Sequence, residues 1–233
     1  MNEKNTFAKR RRFDVLLALL AAVLIIVFAL IKRQSFFKTL PTLVTLAVQI
    51  LMVEANRAAF IVGGANAVLY GLSYYSEGLC FSAISNALIS APIMIFSFFN
   101  WKRNAEGGSP RLFTLKNRTR VVLGLSAILL WVLCVKLFGN VISTGRFVWL
   151  DCLCFVGGLA VTLLSAFGYA DAQYLNIGCC VVTLAMWIAV CIEDPENVNF
   201  VIISIYNLYK VTQMAINWTQ ISKSGGKKNE NQA

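Results

Sequence analysis

Long apolar runs separated by short polar connections make up nearly the whole chain, and that alternation leaves it few ways to fold. The runs cover residues 15–31, 40–53, 58–75, 78–99, 121–138, 148–168, 174–192 and 198–218. Most approach the roughly 20 residues an α-helix needs to cross a bilayer's hydrocarbon core. In lipid each backbone N–H and C=O must be satisfied inside the protein, and a helix does this within one segment. Only 14% of the 233 residues are charged and 58% are hydrophobic, whereas soluble domains carry about a quarter charged residues. The expected architecture is therefore an all-α integral membrane protein with eight helices. The first run follows Lys9, Arg10, Arg11 and Arg12, as in a secretory signal, but no small-residue cleavage site comes after it. With further spans downstream it reads as a retained transmembrane helix.

The net charge of +10 comes from clusters lying between the runs, which is how inside-facing loops look and not how a nucleic-acid surface looks. Assigning connections to alternate sides puts the basic N-terminus, Arg57, the 102–120 loop, Lys223, Lys227 and Lys228 together. Only Lys32, Arg33, Lys38 and Arg146 fall opposite, so both termini are expected in the cytoplasm of a cell-membrane protein. The polar tail 222–233 is expected to be disordered. There is no histidine, and the seven cysteines lie in or beside apolar runs without metal-ligand spacing. They read as small packing residues. No metal, cofactor or catalytic base is called for.

An internal repeat organises the runs. Displacing the sequence by 117 residues puts Val44-Thr45-Leu46 on Val161-Thr162-Leu163 and Asn100-Trp101 on Asn217-Trp218. It also pairs Glu54-Ala55 with Asp171-Ala172, Asn56 with Gln173, Tyr70 with Trp187, and Glu77 with Asp194. The second to fourth helices form one unit and the sixth to eighth another. Three crossings leave the chain on the wrong side to begin a parallel copy, so the fifth helix serves as linker. The divisions are 1–38 (basic N-terminus and extra helix), 39–101 (first unit), 102–147 (basic loop and linker), 148–218 (second unit) and 219–233 (tail). Parallel repeats of this kind are one plan of transporters, whose substrate sits near the midplane between the halves.

The stretches from Asn56 to Trp101 and from Trp187 to Trp218 resemble the PnuC-type vitamin transporters, the nicotinamide riboside family. They share a loop Asn, a Gly-rich helix reaching Tyr70, a helix closing on Asn100-Trp101, and an aromatic helix, acid turn and final helix ending in Trp218. The resemblance implies a SWEET-like 3+1+3 helix core, here with one extra N-terminal transmembrane helix. It also implies facilitated diffusion of nicotinamide riboside, or of relatives such as thiamine and riboflavin, with trapping by a cytoplasmic kinase. Nicotinamide riboside members often carry two tryptophans four apart on the second helix of the second unit. Here Trp187 matches the second and Thr183 occupies the first, which departs from that pattern.

Polar side chains within the runs must face the bundle interior or water. On the third helix Gly63, Asn66, Tyr70, Ser73 and Glu77 share one face, and Cys180, Thr183, Trp187 and Asp194 do so on the seventh. Ser82, Asn86, Ser90 and Ser97 mark the fourth helix, Tyr206, Asn207, Lys210, Gln213 and Asn217 the eighth, and Gln49 the second. Interhelical hydrogen bonding alone is the plainer reading of such groups. The candidate site takes Tyr70 and Trp187 as stacking residues, with Asn66, Asn86, Thr183, Tyr206, Asn207, Lys210 and Gln213 as polar contacts. Lys210, in mid-run, is expected to be neutralised or to face a cavity. Gly63 and Gly64 read as close-packing positions. Glu54, Glu77, Asp171 and Asp194 read as solvated helix ends, and Trp101 and Trp218 as interfacial anchors. The partners called for are a small vitamin or nucleoside and the bilayer, with self-association left open. A vitamin-binding subunit of an ATP-driven importer and, less well supported by any motif, a membrane enzyme are the alternatives.

Overall fold

A computed structural model describes residues 3–106, 109–110, 112–142 and 147–230, with side chains for 13–105, 112–137 and 147–222. Arg146, counted above in the charge balance, lies outside the described residues. The helices are α1 (Glu3–Ile31), α2 (Phe36–Val53), α3 (Ala58–Ser76), α4 (Cys80–Arg103), α5 (Asn117–Ile142), α6 (Val148–Ala166), α7 (Asp171–Glu193) and α8 (Val198–Glu230). Among the described residues six of them are long and apolar enough to cross a membrane, α3 and α8 being the two that are not. Those two fall short in composition and not in length, because they carry polar groups that the bundle buries. Helix α8 runs on through 222–230, where the polar sequence led us to expect disorder. No proline interrupts that stretch.

The helices close into a ring in which α2 touches α3, α3 touches α4, α4 touches α6, α6 touches α7, α7 touches α8, and α8 returns to α2. Helix α5 packs on α6, and α1 packs on α8 and α2. Val121, Val122, Leu125, Ile128 and Leu129 of α5 point outwards, an apolar face that is costly to leave in water and that lipid tails would cover. Glycines let α3 approach α4. A Cβ at Gly71 would lie 2.6 Å from the Ala87 Cβ, and one at Gly64 3.4 Å from the Ala91 carbonyl oxygen.

Pro41 lies inside α2, where its missing N–H releases the carbonyl one turn back. That carbonyl, of Phe37, accepts from the Ser73 hydroxyl of α3 at 2.7 Å. The proline thereby ties α2 to α3. Helix α4 contains a π-helical segment, Ser85–Ser90, between α-helical turns; such segments are uncommon and cluster at functional sites. Ahead of it, the fully buried Asp151 of α6 accepts from the backbone N–H groups of Phe81 and Ser82 at 3.0 and 2.9 Å. This carboxylate, which no pattern in the sequence had singled out, caps buried N–H donors that have no partner within the helix at its start.

The two three-helix runs are joined by matching contacts. Asn100 and Trp101 donate to the carbonyls of Ala166 and Ser165 at 2.9 and 3.0 Å. Asn217 and Trp218 donate to those of Val53 and Met52 at 3.3 and 3.1 Å. Each unit's last helix thus clamps the end of the other unit's first helix. The indoles of Trp101 and Trp218 meet at 5.2 Å and are 5% and 0% exposed. They are buried clamps, which corrects the expectation of interfacial anchors.

These bonds also correct the gapless register. The donors lie 117 residues apart, but Met52 and Ser165 lie 113 apart. The turns agree with the shorter spacing. Ala55 and Gly168 both have positive φ, 53° and 76°, and the N–H groups of Asn56 and Tyr169 reach back to Leu51 and Leu164. The four residues are absorbed by α7, which has 23 against 19 in α3. Glu54 therefore corresponds to Phe167 and not to Asp171, and Asn56 to Tyr169 and not to Gln173.

Candidate substrate cavity

Inside the ring lies a cavity with two lobes of about 220 and 280 Å³ that share walls at Gln49, Tyr74, Asn86, Thr162, Thr183 and Asn207. Aromatic layers close both ends. Towards the α3–α4 and α7–α8 turns, Trp187 stacks on Phe200 at 4.1 Å and 13°, and Tyr74 meets Trp187 and Tyr70 at 5.4 Å each. Towards the other end stand Trp101, Trp218 and Phe60, with Phe60 edge-on to Trp101 at 4.8 Å. Met94 of α4 lines both lobes between them.

Of the nine candidate site residues, Tyr70, Trp187, Asn66, Asn86, Thr183 and Asn207 line this cavity. The Asn66 amide donates to the Pro41 carbonyl at 3.1 Å and to the Thr45 hydroxyl at 2.9 Å, and Thr45 bonds the Tyr70 hydroxyl at 2.9 Å. That chain fixes the Tyr70 ring. Trp187 is 1% exposed and already stacked, so the aromatic wall is shared among several rings. Tyr74, Thr45, Thr162, Asn176 and Ser204 also line the cavity. Tyr74 lies one turn beyond Tyr70, and that spacing could have found it. No charged side chain lines either lobe among the described residues.

The other three candidates, Tyr206, Lys210 and Gln213, lie outside the cavity walls and gather on the side of α8 that meets α1. Lys210, 1% exposed, pairs with Asp14 at 2.9 Å and donates to Gln213 at 3.2 Å. Gln213 in turn donates to Asp14 at 3.0 Å, and the ammonium lies 5.8 and 5.6 Å from the Tyr206 and Tyr209 rings. Asp14, next to the basic N-terminus, supplies the counter-charge that the sequence reading lacked. Ala18, Ala21 and Ile25 of α1 pack with Ile203, Tyr206 and Leu46, and Gln34 bonds Asn199 farther along.

Two acids expected to be solvated hold structural contacts instead. Glu77 pairs with Lys38 at 2.5 Å and accepts from Asn197 at 2.9 Å. Asp171 pairs with Arg120 at 2.7 Å and accepts the Leu115 N–H at 2.6 Å. The latter strap brings the chain after α4 onto the α6–α7 turn, with Leu112 buried beside Trp101 and Trp218.

Residues 35–220 match the sequence pattern of the nicotinamide mononucleotide transporter family. The chain belongs to that family. The match spans the ring and α5 and begins after α1. The fold agrees with that of a solved structure, described as the crystal structure of the vitamin B3 transporter PnuC. Its TM-score is 0.78 at 16% identity, covering 91% of this chain and 92% of the other. No curated protein sequence matches the chain. Membership accounts for the multi-pass helical architecture and places the chain among transporters.

Proposed function

We propose that the protein carries nicotinamide riboside, or a closely similar aromatic vitamin or nucleoside, across the cell membrane by facilitated diffusion. The observation that carries this reading is the cavity wall, which is aromatic, amide and hydroxyl, with no charged group among the described residues. A mononucleotide's phosphate would be buried there without a cation, at a cost of several kcal/mol. The dephosphorylated nucleoside carries no such group, and its cationic pyridinium suits tyrosine and tryptophan faces. Among the described residues the same wall presents no carboxylate to take up a proton or sodium ion, which favours uncoupled movement; trapping of the product by phosphorylation in the cytoplasm would then supply the direction. The ring of two three-helix runs, with α5 between them in sequence, supports a SWEET-like 3+1+3 core with α1 added outside it. In this reading the two halves rock about the cavity and both termini are cytoplasmic.

The test is uptake into liposomes holding only the purified protein, with labelled nicotinamide riboside, thiamine and riboflavin in parallel. Equilibration of the riboside without ATP, blocked by unlabelled riboside, is the expected result. Folded protein that moves none of the three contradicts the reading and favours the importer-subunit alternative.

A further inference from the structure

At the end of the ring away from the Asn-Trp clamps, the last helix of each half begins, α4 at Cys80 and α8 at Val198. The two heads are held unequally. Asn197, directly before α8, donates to Glu77 of α3 and to Asp194 at 2.9 Å each. Lys38 of α2 backs Glu77, and Asn199 bonds Gln34 in the α1–α2 connection. From there α8 runs on as unbroken α-helix. The head of α4 has one polar partner in the other half among the described residues, the Asp151 carboxylate on the N–H groups of Phe81 and Ser82. After five residues, Cys80–Ile84, its α-helical turns give way to the π-helical segment Ser85–Ser90.

A π-helical turn is a place where a helix can kink, and here it is also where α4 is pinned. Ala87, within the segment, sits against Gly71 of α3 so closely that a Cβ there would lie 2.6 Å away. Beyond this pivot the head carries Leu79 into the cluster of Met186, Trp187 and Phe200. It also sets Phe81 edge-on to Phe155 at 5.8 Å and Ser82 in the cavity wall. We propose that the head of α4, residues 79–84, is the gate at the aromatic end of the cavity, pivoting at Ser85–Ser90 and latched by Asp151. A carboxylate suits a latch of this kind. With the gate shut it holds two N–H donors, and with the gate open water takes their place, so its charge is satisfied in both states. Swinging the head away lifts Leu79 off Trp187 and Phe200 and opens a path to the cavity, while the α8 head stays tied. The inference goes beyond the transport reading, and no substrate has to move for it to be tested.

The experiment measures how fast Cys180, in the cavity wall, reacts with a small charged methanethiosulfonate. The purified full chain is held in lipid nanodiscs, which leave both faces open to the reagent, and the modified peptide is read by mass spectrometry. Asp151→Asn removes the charge and turns an NH2 group towards one of the backbone donors. Labelling should then accelerate by about tenfold, the scale of one lost hydrogen bond to a charged group. Glu77→Gln, the matching change at the α8 head, should accelerate it far less. Unchanged labelling in Asp151→Asn, or an equal rise in Glu77→Gln, overturns the inference and leaves the transport reading intact. If Asp151→Asn does not fold, hydrogen exchange of the wild type decides: amides 81–84 should exchange faster than amides 198–201, and equal or slower exchange overturns the inference.

Discussion

Single residues show how a membrane protein handles charge it cannot leave bare. Lys210 is nearly sealed from solvent, and Asp14 neutralises it from a helix outside the ring. Breaking such a pair from one side leaves an uncompensated buried charge and costs about 3–5 kcal/mol. Asp14→Ala should therefore lower thermal stability in detergent sharply, while Asp14→Leu combined with Lys210→Met should recover most of the loss. Stability of the single variant equal to wild type would show that the pair contributes little. Trp187 carries a different warning. It fills space against Phe200 and Tyr74, so Trp187→Ala removes about 3–5 kcal/mol of packing as well as any ligand contact. Trp187→Phe keeps a ring and is expected to fold with weakened uptake, read as a higher KM.

Among elements, the closeness of α3 and α4 is set by glycine. Gly71→Ala would force a methyl to within 2.6 Å of the Ala87 Cβ, and a clash of that kind costs about 1–3 kcal/mol. Gly124→Ala on α5, where a Cβ meets nothing within 4 Å, should instead raise stability by about 0.5–1 kcal/mol, because alanine gives up less backbone freedom in a helix. Comparing the two melting temperatures tests the packing directly. The helices themselves were legible in the sequence, because apolar length and polar interruption are local properties. The register between the halves was not. A gapless alignment paired Glu54 with Asp171 because both are acids at turns, but the equivalence is set by long-range bonds from Trp101 and Trp218 to main-chain carbonyls. Main-chain acceptors leave no trace in side-chain identity. The candidate site was legible wherever polar residues shared a face with the ring interior, as Asn66 and Tyr70 do. It misled on α8, which is buried on two sides, so that Lys210 and Gln213 share the helix with Asn207 but answer to α1.

At the scale of the molecule, two similar halves enclose a cavity between aromatic layers and lock to each other through paired Asn-Trp clamps. Opening at that end must part bonds from Asn100, Trp101, Asn217 and Trp218. Asn100→Ala should cost about 1 kcal/mol as a lost hydrogen bond and shift the protein towards an open state, seen as faster labelling of a cysteine placed at Phe60. Unchanged labelling would mean that the clamp does not report on opening. The central claim is that an uncharged cavity admits the nucleoside and excludes its phosphate. The most direct measurement compares uptake of labelled nicotinamide riboside with that of nicotinamide mononucleotide in the same proteoliposomes. The account predicts rapid equilibration of the riboside and no protein-dependent entry of the mononucleotide; comparable entry of both, or entry of the mononucleotide alone, would contradict it.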